Sequence, residues 1–216
     1  SLLQSTALLE FYLVKNVSST NEIITQLDNI LKKNVSDDEL ENLIIETSID
    51  NEKINKKQPD NNVTTVDEIF GETSSPSPDS LEIISDFAVD SPFQSLIEFV
   101  QGDMVVKSRN VYALNKLLND KSAKLKLKSS SGQFLFSNDS EQLGSSGEYY
   151  KLYYLESIPE LTGGVVEKAK ANLGSLGGGN TGLPVVSLDM NSEGAKTWSR
   201  VTGANIGQRI AIVLDN

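Results

Sequence analysis

Leu8-Leu9-Glu10-Phe11-Tyr12-Leu13-Val14 is the first apolar stretch of the sequence, and it is short and rich in branched and aromatic residues. This composition, followed by polar residues, is typical of a β-strand. A second such stretch, Ile210-Ala211-Ile212-Val213-Leu214, lies at the other end of the chain. Because it is apolar on both faces, we expect it to be a central strand. The predicted fold depends on these two chain ends meeting in one sheet.

Two further strands are expected in that sheet, at residues 148–155 and 184–190. The first is the tyrosine-rich stretch, and the second places Val186, Leu188 and Met190 on one face. Two capped helices should cover the sheet. The cap and apolar positions of the first are Thr162, Val165, Val166, Ala169 and Leu173, and those of the second are Ser192, Ala195, Trp198 and Val201, ending near Gly203 or Gly207. The sequence thus predicts an α+β fold with a mixed or antiparallel sheet of about four strands.

The middle of the chain, residues 15–147, is expected to be mostly helical. Two capping boxes, Ser19-x-x-Glu22 and Ser36-x-x-Glu39, predict a helical hairpin over residues 20–49. Residues 50–80, rich in Asn, Asp, Lys, Ser and Pro, predict a flexible linker. Helices and a hairpin are predicted over residues 91–136. The expected elements are a helix from Ser91-Pro92, a strand at 104–106, a helix capped by Asn110, and a hairpin that pairs residues 125–128 with residues 133–136.

Composition and charge exclude several classes of function. The 216-residue chain has no Cys and no His, so a Ser-His-Asp triad, a Cys nucleophile and a Cys/His zinc site are impossible. The net charge of −11 is uneven, because residues 1–100 hold 6 Lys/Arg and 19 Asp/Glu while the remainder holds 13 and 11. Such an acidic chain is a poor candidate for binding nucleic acid or a membrane surface. No apolar run is long enough to span a membrane, and the chain looks like a fragment of a longer protein.

Two motifs have both a functional and a structural interpretation. Gly177-x-Gly179-x-x-Gly182 matches a dinucleotide fingerprint, but it follows a predicted helix and precedes a strand, which favours a simple connector. The tyrosines of the 148–155 strand could stack on a sugar or grip an extended peptide, but packing within the strand is favoured. These tyrosines are Tyr149, Tyr150, Tyr153 and Tyr154. Trp198 is interpreted as a core anchor. Four Asn-x-Ser/Thr sites, at Asn16, Asn34, Asn62 and Asn138, can arise by chance in an Asn- and Ser-rich chain.

Several ordered sequence blocks resemble the first periplasmic domain of SecD and SecDF proteins. They are Thr6-Ala7-Leu8-Leu9-Glu10-Phe11, Leu161-Thr162-Gly163-Gly164-Val165-Val166-Glu167-Lys168-Ala169, Pro184-Val185-Val186-Ser187-Leu188, Ser192-Glu193-Gly194-Ala195-Lys196-Thr197-Trp198, Thr202-Gly203-Ala204-Asn205-Ile206-Gly207 and Ile210-Ala211-Ile212-Val213-Leu214-Asp215. The resemblance covers residues 1–14 and 148–216, which correspond mainly to the head of that domain. Residues 15–147 then look like a long acidic insertion, similar to those in SecDF of Bacteroidetes-like bacteria.

The resemblance implies an accessory subunit of the Sec translocon on the periplasmic side of the bacterial inner membrane. Such a subunit assists preprotein translocation and release, driven by proton flow through membrane helices outside this sequence. Its partners would be the unfolded preprotein, the Sec channel and a SecF-type subunit, and not nucleic acid. No enzymatic activity, cofactor, or catalytic, cofactor-binding or metal-binding residue is expected, and the sequence does not identify the residues that contact the substrate.

Two other classes of function stay open at this point. A porter or small-molecule-binding domain of a related exporter would need an enclosed, mostly apolar cavity with a few convergent polar groups. An enzyme would need two carboxylates that converge in a cleft and have separated pKa values. The acidic residues of the chain are interpreted as solvated surface.

Overall fold

The computed structural model describes residues 8–36, 40, 43, 90–142, 147–174 and 182–214. The chain divides into two compact units, which we treat separately. The first consists of residues 1–16, 131–133 and 154–216, and the second of residues 17–130 and 134–153. Helices and antiparallel sheets occur together, which confirms the predicted α+β class.

A three-stranded antiparallel sheet joins the two ends of the chain in the first unit. Strand β1 (Leu9–Leu13) pairs along its whole length with β10 (Ile210–Leu214), so that Phe11 lies opposite Ile212. The short strand β7 (Leu161–Thr162) pairs with the other edge of β1. The predicted meeting of the chain ends is confirmed. The predicted central position of β10 is wrong, because among the described strands β10 pairs only with β1 and lies at the edge.

A separate two-stranded hairpin follows this sheet in the chain. Strand β8 (Val166–Leu173) pairs with β9 (Pro184–Met190), with a register shift between Val166 and Lys168. The helix predicted over this region is therefore wrong. Thr162 makes no side-chain cap, Gly163–Val165 form a single 3₁₀ turn, and the backbone then extends. The apolar residues fit a helical face, but pairing with β9 supplies the backbone hydrogen bonds as cross-strand bonds instead.

Helix α4 (Ser192–Ala204) packs in the first unit and carries Trp198. The sequence predicted this helix but displaced its cap by one residue. Asn191, rather than Ser192, is the N-cap, and its side-chain oxygen accepts a hydrogen bond from the Gly194 N–H at 2.8 Å. Asn and Ser both cap helices well, so the sequence alone did not decide between them.

A second antiparallel sheet consists mostly of residues of the second unit. The strands β2 (Glu98–Val100), β3 (Asp103–Lys107), β6 (Glu148–Glu156) and β4 (Gly132–Phe136) follow one another in the order β2-β3-β6-β4, and β5 (Glu141–Gln142) also pairs with β6. The tyrosine-rich strand was predicted correctly as a strand but assigned to the wrong sheet. The four strands predicted to share one sheet belong to three.

Three helices of the second unit are described over their full length. They are α1 (Val17–Asn34), α2 (Val111–Leu118) and α3 (Lys121–Ser129). The predicted apolar face of α1 is confirmed, because Ile23, Ile24, Leu27 and Leu31 are buried. Ser19 lies inside α1 and is not its cap. Of the second predicted helix, Leu40 and Leu43 are described, and both are helical and buried, whereas the 50–80 linker lies outside the described residues.

Two predictions for residues 91–136 are wrong. The segment after Ser91-Pro92 forms only a 3₁₀ turn, Gln94–Leu96, and then the β2–β3 hairpin, whose turn residues Gln101 and Gly102 both have positive φ. The alternating residues 125–128 belong to α3 and not to a strand. The Asp120 side chain caps α3 by accepting hydrogen bonds from the N–H groups of Ser122 and Ala123. This helix cap outweighs the strand-like alternation of apolar and polar residues over only four positions.

The strand at 104–106 and the helix over Val111–Leu118 are confirmed as elements. Asn110 precedes that helix, but its side chain makes no cap. Its amide nitrogen donates a hydrogen bond to the Leu96 carbonyl at 3.3 Å instead. The residue therefore ties the start of α2 to the end of the preceding 3₁₀ turn.

Candidate functional site

Phe11 and Trp198 form the floor of an apolar feature of the first unit. Phe11 is 1% exposed at the centre of β1, and its backbone carbonyl also accepts a hydrogen bond from the Glu160 N–H at 2.8 Å. The ring of Trp198 meets the Phe11 ring edge to face, with 5.3 Å between centroids and an interplanar angle of 61°. This is a favourable arrangement for two aromatic quadrupoles. Trp198 thus packs against a core residue, but it is only half-buried and does not belong to the buried core, so the interpretation of Trp198 as a core anchor holds only for its contact with Phe11.

A close backbone approach positions helix α4. Gly194 is buried in its first turn, and a Cβ atom at this residue would lie 2.6 Å from the Cβ atom of Val165. The Asn191 N–H also donates a hydrogen bond to the Val165 carbonyl at 2.9 Å. The start of α4 is thus held against the 3₁₀ turn that precedes β8, and this places Trp198 over β1.

An open apolar groove of about 470 Å³ lies between β9, α4 and the β1–β10 pair. Its lining combines the predicted apolar face of β9 with the two aromatic floor residues. The lining residues are Phe11, Val186, Leu188, Asp189, Met190, Ala195, Trp198 and Ile212. We call this feature the apolar groove. Asp189 is its single charged lining residue, so the groove offers contact surface and few directional polar groups.

The walls of the apolar groove remain exposed to solvent. Val186 is 66% exposed and Ile212 is 60% exposed. In a folded domain, apolar side chains on adjoining elements that remain open to water are characteristic of a surface that binds another molecule. Ile212 also lies on β10, whose outer edge has no strand partner among the described residues. An apolar groove therefore adjoins a strand edge that no other described strand covers.

A smaller cavity of about 230 Å³ lies elsewhere in the first unit. It is lined by Ser131, Glu156, Ser157, Ile158, Pro159 and Glu160, so it contains two carboxylates. The Glu156 carboxylate forms an ion pair with the Lys15 ammonium group at 2.8 Å, which balances its charge. Within the part of the chain that is described, no cluster of three or more acidic, Cys or His residues could hold a metal ion.

The other residues singled out from the sequence do not converge on the apolar groove. Tyr149 and Tyr154 are buried, and each ring has a lysine ammonium group over it, Lys107 at 6.0 Å and Lys15 at 5.6 Å respectively. These positions support the packing interpretation of the tyrosine-rich strand. Gly182 has a positive φ of 76° in the turn before β9, and the rest of the glycine motif lies outside the described residues.

The residues of the apolar groove were only partly recognisable in the sequence. The alternation of Val186, Leu188 and Met190 identified the apolar face of β9. No local pattern shows that this face would stay open, because that depends on β9 pairing with β8 rather than joining the β1 sheet. The contribution of Phe11 and Ile212 depends on β1–β10 pairing in the same way.

Comparison with known proteins finds a family match in the C-terminal part of the chain. Residues 137–216 match the family described as "SecDF, P1 head subdomain". Several proteins named protein translocase subunit SecD are similar to part of this chain. The relative from Rhodothermus marinus is 46% identical over 77 residues, which is 34% of this chain and 12% of the relative. The relative from Elusimicrobium minutum is 44% identical over 63 residues, or 29% of this chain and 12% of the relative.

These matches confirm the resemblance to the first periplasmic domain of SecD and SecDF proteins. Residues 137–216 are related to the P1 head of that family. A third relative, SecD of Anaeromyxobacter dehalogenans, is 37% identical over 68 residues, covering 32% of this chain and 11% of the relative. The chain thus matches only about an eighth of the length of these curated relatives. No solved structure matches it significantly.

No helix among the described residues combines the length and the apolar character needed to cross a lipid bilayer. The longest of them, α1, has 18 residues and a polar as well as an apolar face.

Proposed function

We propose that this chain is part of a SecD-type accessory subunit of the Sec translocon and acts on the periplasmic side of the bacterial inner membrane. Its role is to hold segments of an unfolded preprotein transiently and so to assist translocation and release. The observation that carries this proposal is the apolar groove beside the free edge of β10. The similarity to proteins named SecD provides the context.

The chemistry of the apolar groove suits a substrate that varies in sequence. Seven of its eight lining residues are apolar or aromatic, so binding depends on burying apolar surface rather than on a fixed set of hydrogen bonds. Each apolar side chain of a bound segment would gain on the order of 1 to 3 kcal/mol when buried. A site that binds several such side chains loosely can capture and release many different preproteins.

The edge of β10 can supply a contact that does not depend on side chains. An extended polypeptide can add to an exposed strand edge through main-chain hydrogen bonds, which every sequence can form. In this proposal a substrate segment lies along β10 and places alternate side chains into the apolar groove. A movement of the P1 head would then carry the segment forward.

The energy for such movement is proposed to come from proton flow through membrane helices outside this sequence. The chain contains no His, so no side chain has an ordinary pKa near neutral pH. Residues 15–147 are proposed to be an insertion into the head, since the sequence blocks of the family lie on either side of them. The SecF-type subunit and the Sec channel are the proposed protein partners.

Site-specific crosslinking in intact membranes would test the proposal. The 216 residues contain no Cys, so, in a full-length protein whose other Cys residues have been replaced, a single Cys at Val186 or Ile212 can carry a photoactivatable crosslinker. We expect both positions to capture a preprotein arrested during translocation. The matched control is Leu173→Cys, an exposed apolar position on β8 that does not line the apolar groove. Equal or absent capture at all three positions would contradict the proposal.

The alternative of a small-molecule porter domain receives less support from the geometry. Such sites usually enclose most of the ligand surface and place a few polar groups at defined points. Both cavities described here are open to solvent, and the larger one has a single charged lining residue. An extended polymer suits an open groove better than a small molecule does.

A further inference from the structure

Helix α3 presents a cationic face that the proposed function does not use. The helix carries four lysines in nine residues and no acidic residue, although the chain as a whole has a net charge of −11. One side of the helix is buried and consists of Ala123 and Leu127. The opposite side is exposed and consists of Lys121, Lys124, Leu125 and Lys128, with Leu125 62% exposed. We call this exposed side the α3 face.

The lysines of the α3 face have no ionic partner within the part of the chain that is described. Other lysines of the second unit do have partners. Lys107 forms an ion pair with Glu98 at 2.5 Å, and Lys151 forms one with Glu141 at 2.8 Å. Among the described residues, the Asp120 carboxylate at the N-cap is the nearest acidic group in sequence, and it accepts hydrogen bonds from Ser122 and Ala123 instead of forming an ion pair with these lysines.

Helix stability does not account for these lysines. Lys121 occupies the first position of α3, where a positive charge opposes the positive end of the helix dipole. Lys124 lies three residues from Lys121 and four from Lys128, and like charges at these spacings destabilise a helix. A cationic face that weakens its own helix calls for another explanation, such as binding an anionic partner.

We propose that the α3 face binds the surface of an anionic lipid bilayer. A convex helix face can contact a flat surface along its whole length. Each lysine near an anionic membrane contributes electrostatic attraction, and these contributions are roughly additive. Leu125, between the lysines, can enter the boundary between headgroups and acyl chains. An acidic polypeptide is the less suitable partner. A peptide is usually bound in a groove or along a strand edge, and the exposed convex side of a helix provides neither.

The net charge of the chain does not prevent this contact. At physiological ionic strength, exposed charges more than about 8 to 10 Å apart are largely screened from each other. Attraction at the α3 face therefore depends on the charges within that distance, which include its three lysines and the Asp120 carboxylate, and not on the net charge of the whole chain. The acidic balance and the lack of a recognisable Lys/Arg stripe in the sequence argued against a membrane surface, but the helix groups three lysines on one exposed side. The inference goes beyond the proposed function and does not depend on it.

Binding to lipid vesicles tests the inference on the 216-residue chain. We expect co-sedimentation with phosphatidylglycerol vesicles at low salt, little with phosphatidylcholine vesicles, and loss of binding at 0.5 M salt, a condition chosen to give a Debye length of only a few ångströms. The triple variant K121Q/K124Q/K128Q should reduce the partition coefficient by roughly a hundredfold. The control K168Q/K170Q/K196Q removes the same charge from exposed positions in the first unit and should bind like the wild type.

A labelled position separates membrane insertion from general attraction. Leu125→Cys, carrying an environment-sensitive fluorophore, should show a blue-shifted emission with phosphatidylglycerol vesicles, and Leu173→Cys should not. The inference is overturned if both triple variants bind equally, or if phosphatidylcholine vesicles bind as well as phosphatidylglycerol vesicles. Binding to a polyglutamate peptide through the same lysines, without vesicle binding, would assign the face to an acidic polypeptide and also overturn it.

Discussion

Asp28 shows how a single buried carboxylate organises the second unit. It lies on α1 with 6% exposure, and one of its carboxylate oxygens accepts hydrogen bonds from the backbone N–H groups of Phe93 at 2.7 Å and Gln94 at 3.3 Å. Burial raises the pKa of Asp28 to about 6, and the two hydrogen bonds oppose that rise without cancelling it. Nearby, Lys32 forms an ion pair with Asp90. The Asp28 carboxylate thus holds the backbone of Phe93 and Gln94 in a turn, at the place where the sequence predicted a helix from Ser91.

The pKa of Asp28 predicts a pH dependence of stability. Because the folded state binds the proton more tightly than the unfolded state, the contribution of Asp28 to the free energy of unfolding rises as the pH falls from above 6 towards 4, by on the order of 2 kcal/mol. Asp28→Asn keeps an acceptor oxygen and removes the buried charge. We expect this variant to be at least as stable as the wild type at pH 8, as measured by urea unfolding.

The control for this prediction is Asp28→Ala, which leaves both N–H groups without their acceptor. It should lower the free energy of unfolding at all pH values by about 1 to 3 kcal/mol. If Asp28→Asn were instead clearly less stable than the wild type at pH 8, the carboxylate charge would be stabilising, and the inferred direction of the pKa would be wrong.

At the scale of elements, helix α4 depends on the approach of Gly194 to Val165. A Cβ atom at Gly194 would lie 2.6 Å from the Cβ atom of Val165 and must displace it. We expect Gly194→Ala to lower the free energy of unfolding by about 1 to 3 kcal/mol, despite the better helix propensity of Ala. Thermal unfolding followed by circular dichroism measures this change.

Gly203 provides a matched control in the same helix. A Cβ atom there would meet nothing within 4 Å, so Gly203→Ala gains helix propensity without a clash. It should raise the free energy of unfolding by about 0.5 to 1 kcal/mol. Equal effects of the two substitutions would show that packing at Val165 does not hold the helix in place.

The elements that sequence predicted correctly are those with a strong local signal. Helix α1 has a long amphipathic pattern, and β6 is dense in aromatic residues. The failures occur where the local signal is ambiguous. Residues 166–173 contain apolar positions compatible with either a helix or a strand, and they became β8 because β9 provides its hydrogen-bonding partner. Residues 125–128 alternate like a strand, yet the Asp120 cap and the burial of Ala123 and Leu127 make them helical.

Asp120 itself illustrates how strong the helix-cap signal is. Burial pushes its pKa upward, but hydrogen bonds from the Ser122 hydroxyl group and from the backbone N–H groups at the start of α3 outweigh burial and lower the pKa below its usual range. The ionised carboxylate is therefore stabilised by the helix that it caps. The same cap places Lys121 at the first helical position and so sets the orientation of the α3 face.

At the scale of the whole molecule, the apolar groove should matter for export and not for folding. We predict that Val186→Asp combined with Ile212→Asp in the full-length protein reduces preprotein translocation several-fold, because buried apolar contact with the substrate would be replaced by desolvated charge. Both residues are largely exposed, so the folded state should tolerate the change. Translocation into membrane vesicles measures the effect.

The control again uses an exposed apolar residue away from the groove. Leu173→Asp combined with Leu183→Asp adds the same charge at positions that are 74% and 56% exposed and do not line the groove. Translocation should stay close to the wild-type rate. An equal loss in both double variants would attribute the effect to net charge, and the groove would then have no specific role.

The sequence by itself determined the α+β class, most of the strands and helices, the absence of Cys and His chemistry, and the relation of the C-terminal blocks to the SecDF P1 head. Those features depend on local periodicity, composition and motif order, which one chain segment carries alone. The tertiary structure decided which strands pair, so it placed β10 at an edge and left the face of β9 open. It also grouped three lysines on one side of α3. Pairing and exposure are decided by distant segments competing for the same backbone hydrogen bonds and apolar surfaces, and no local pattern records the result of that competition.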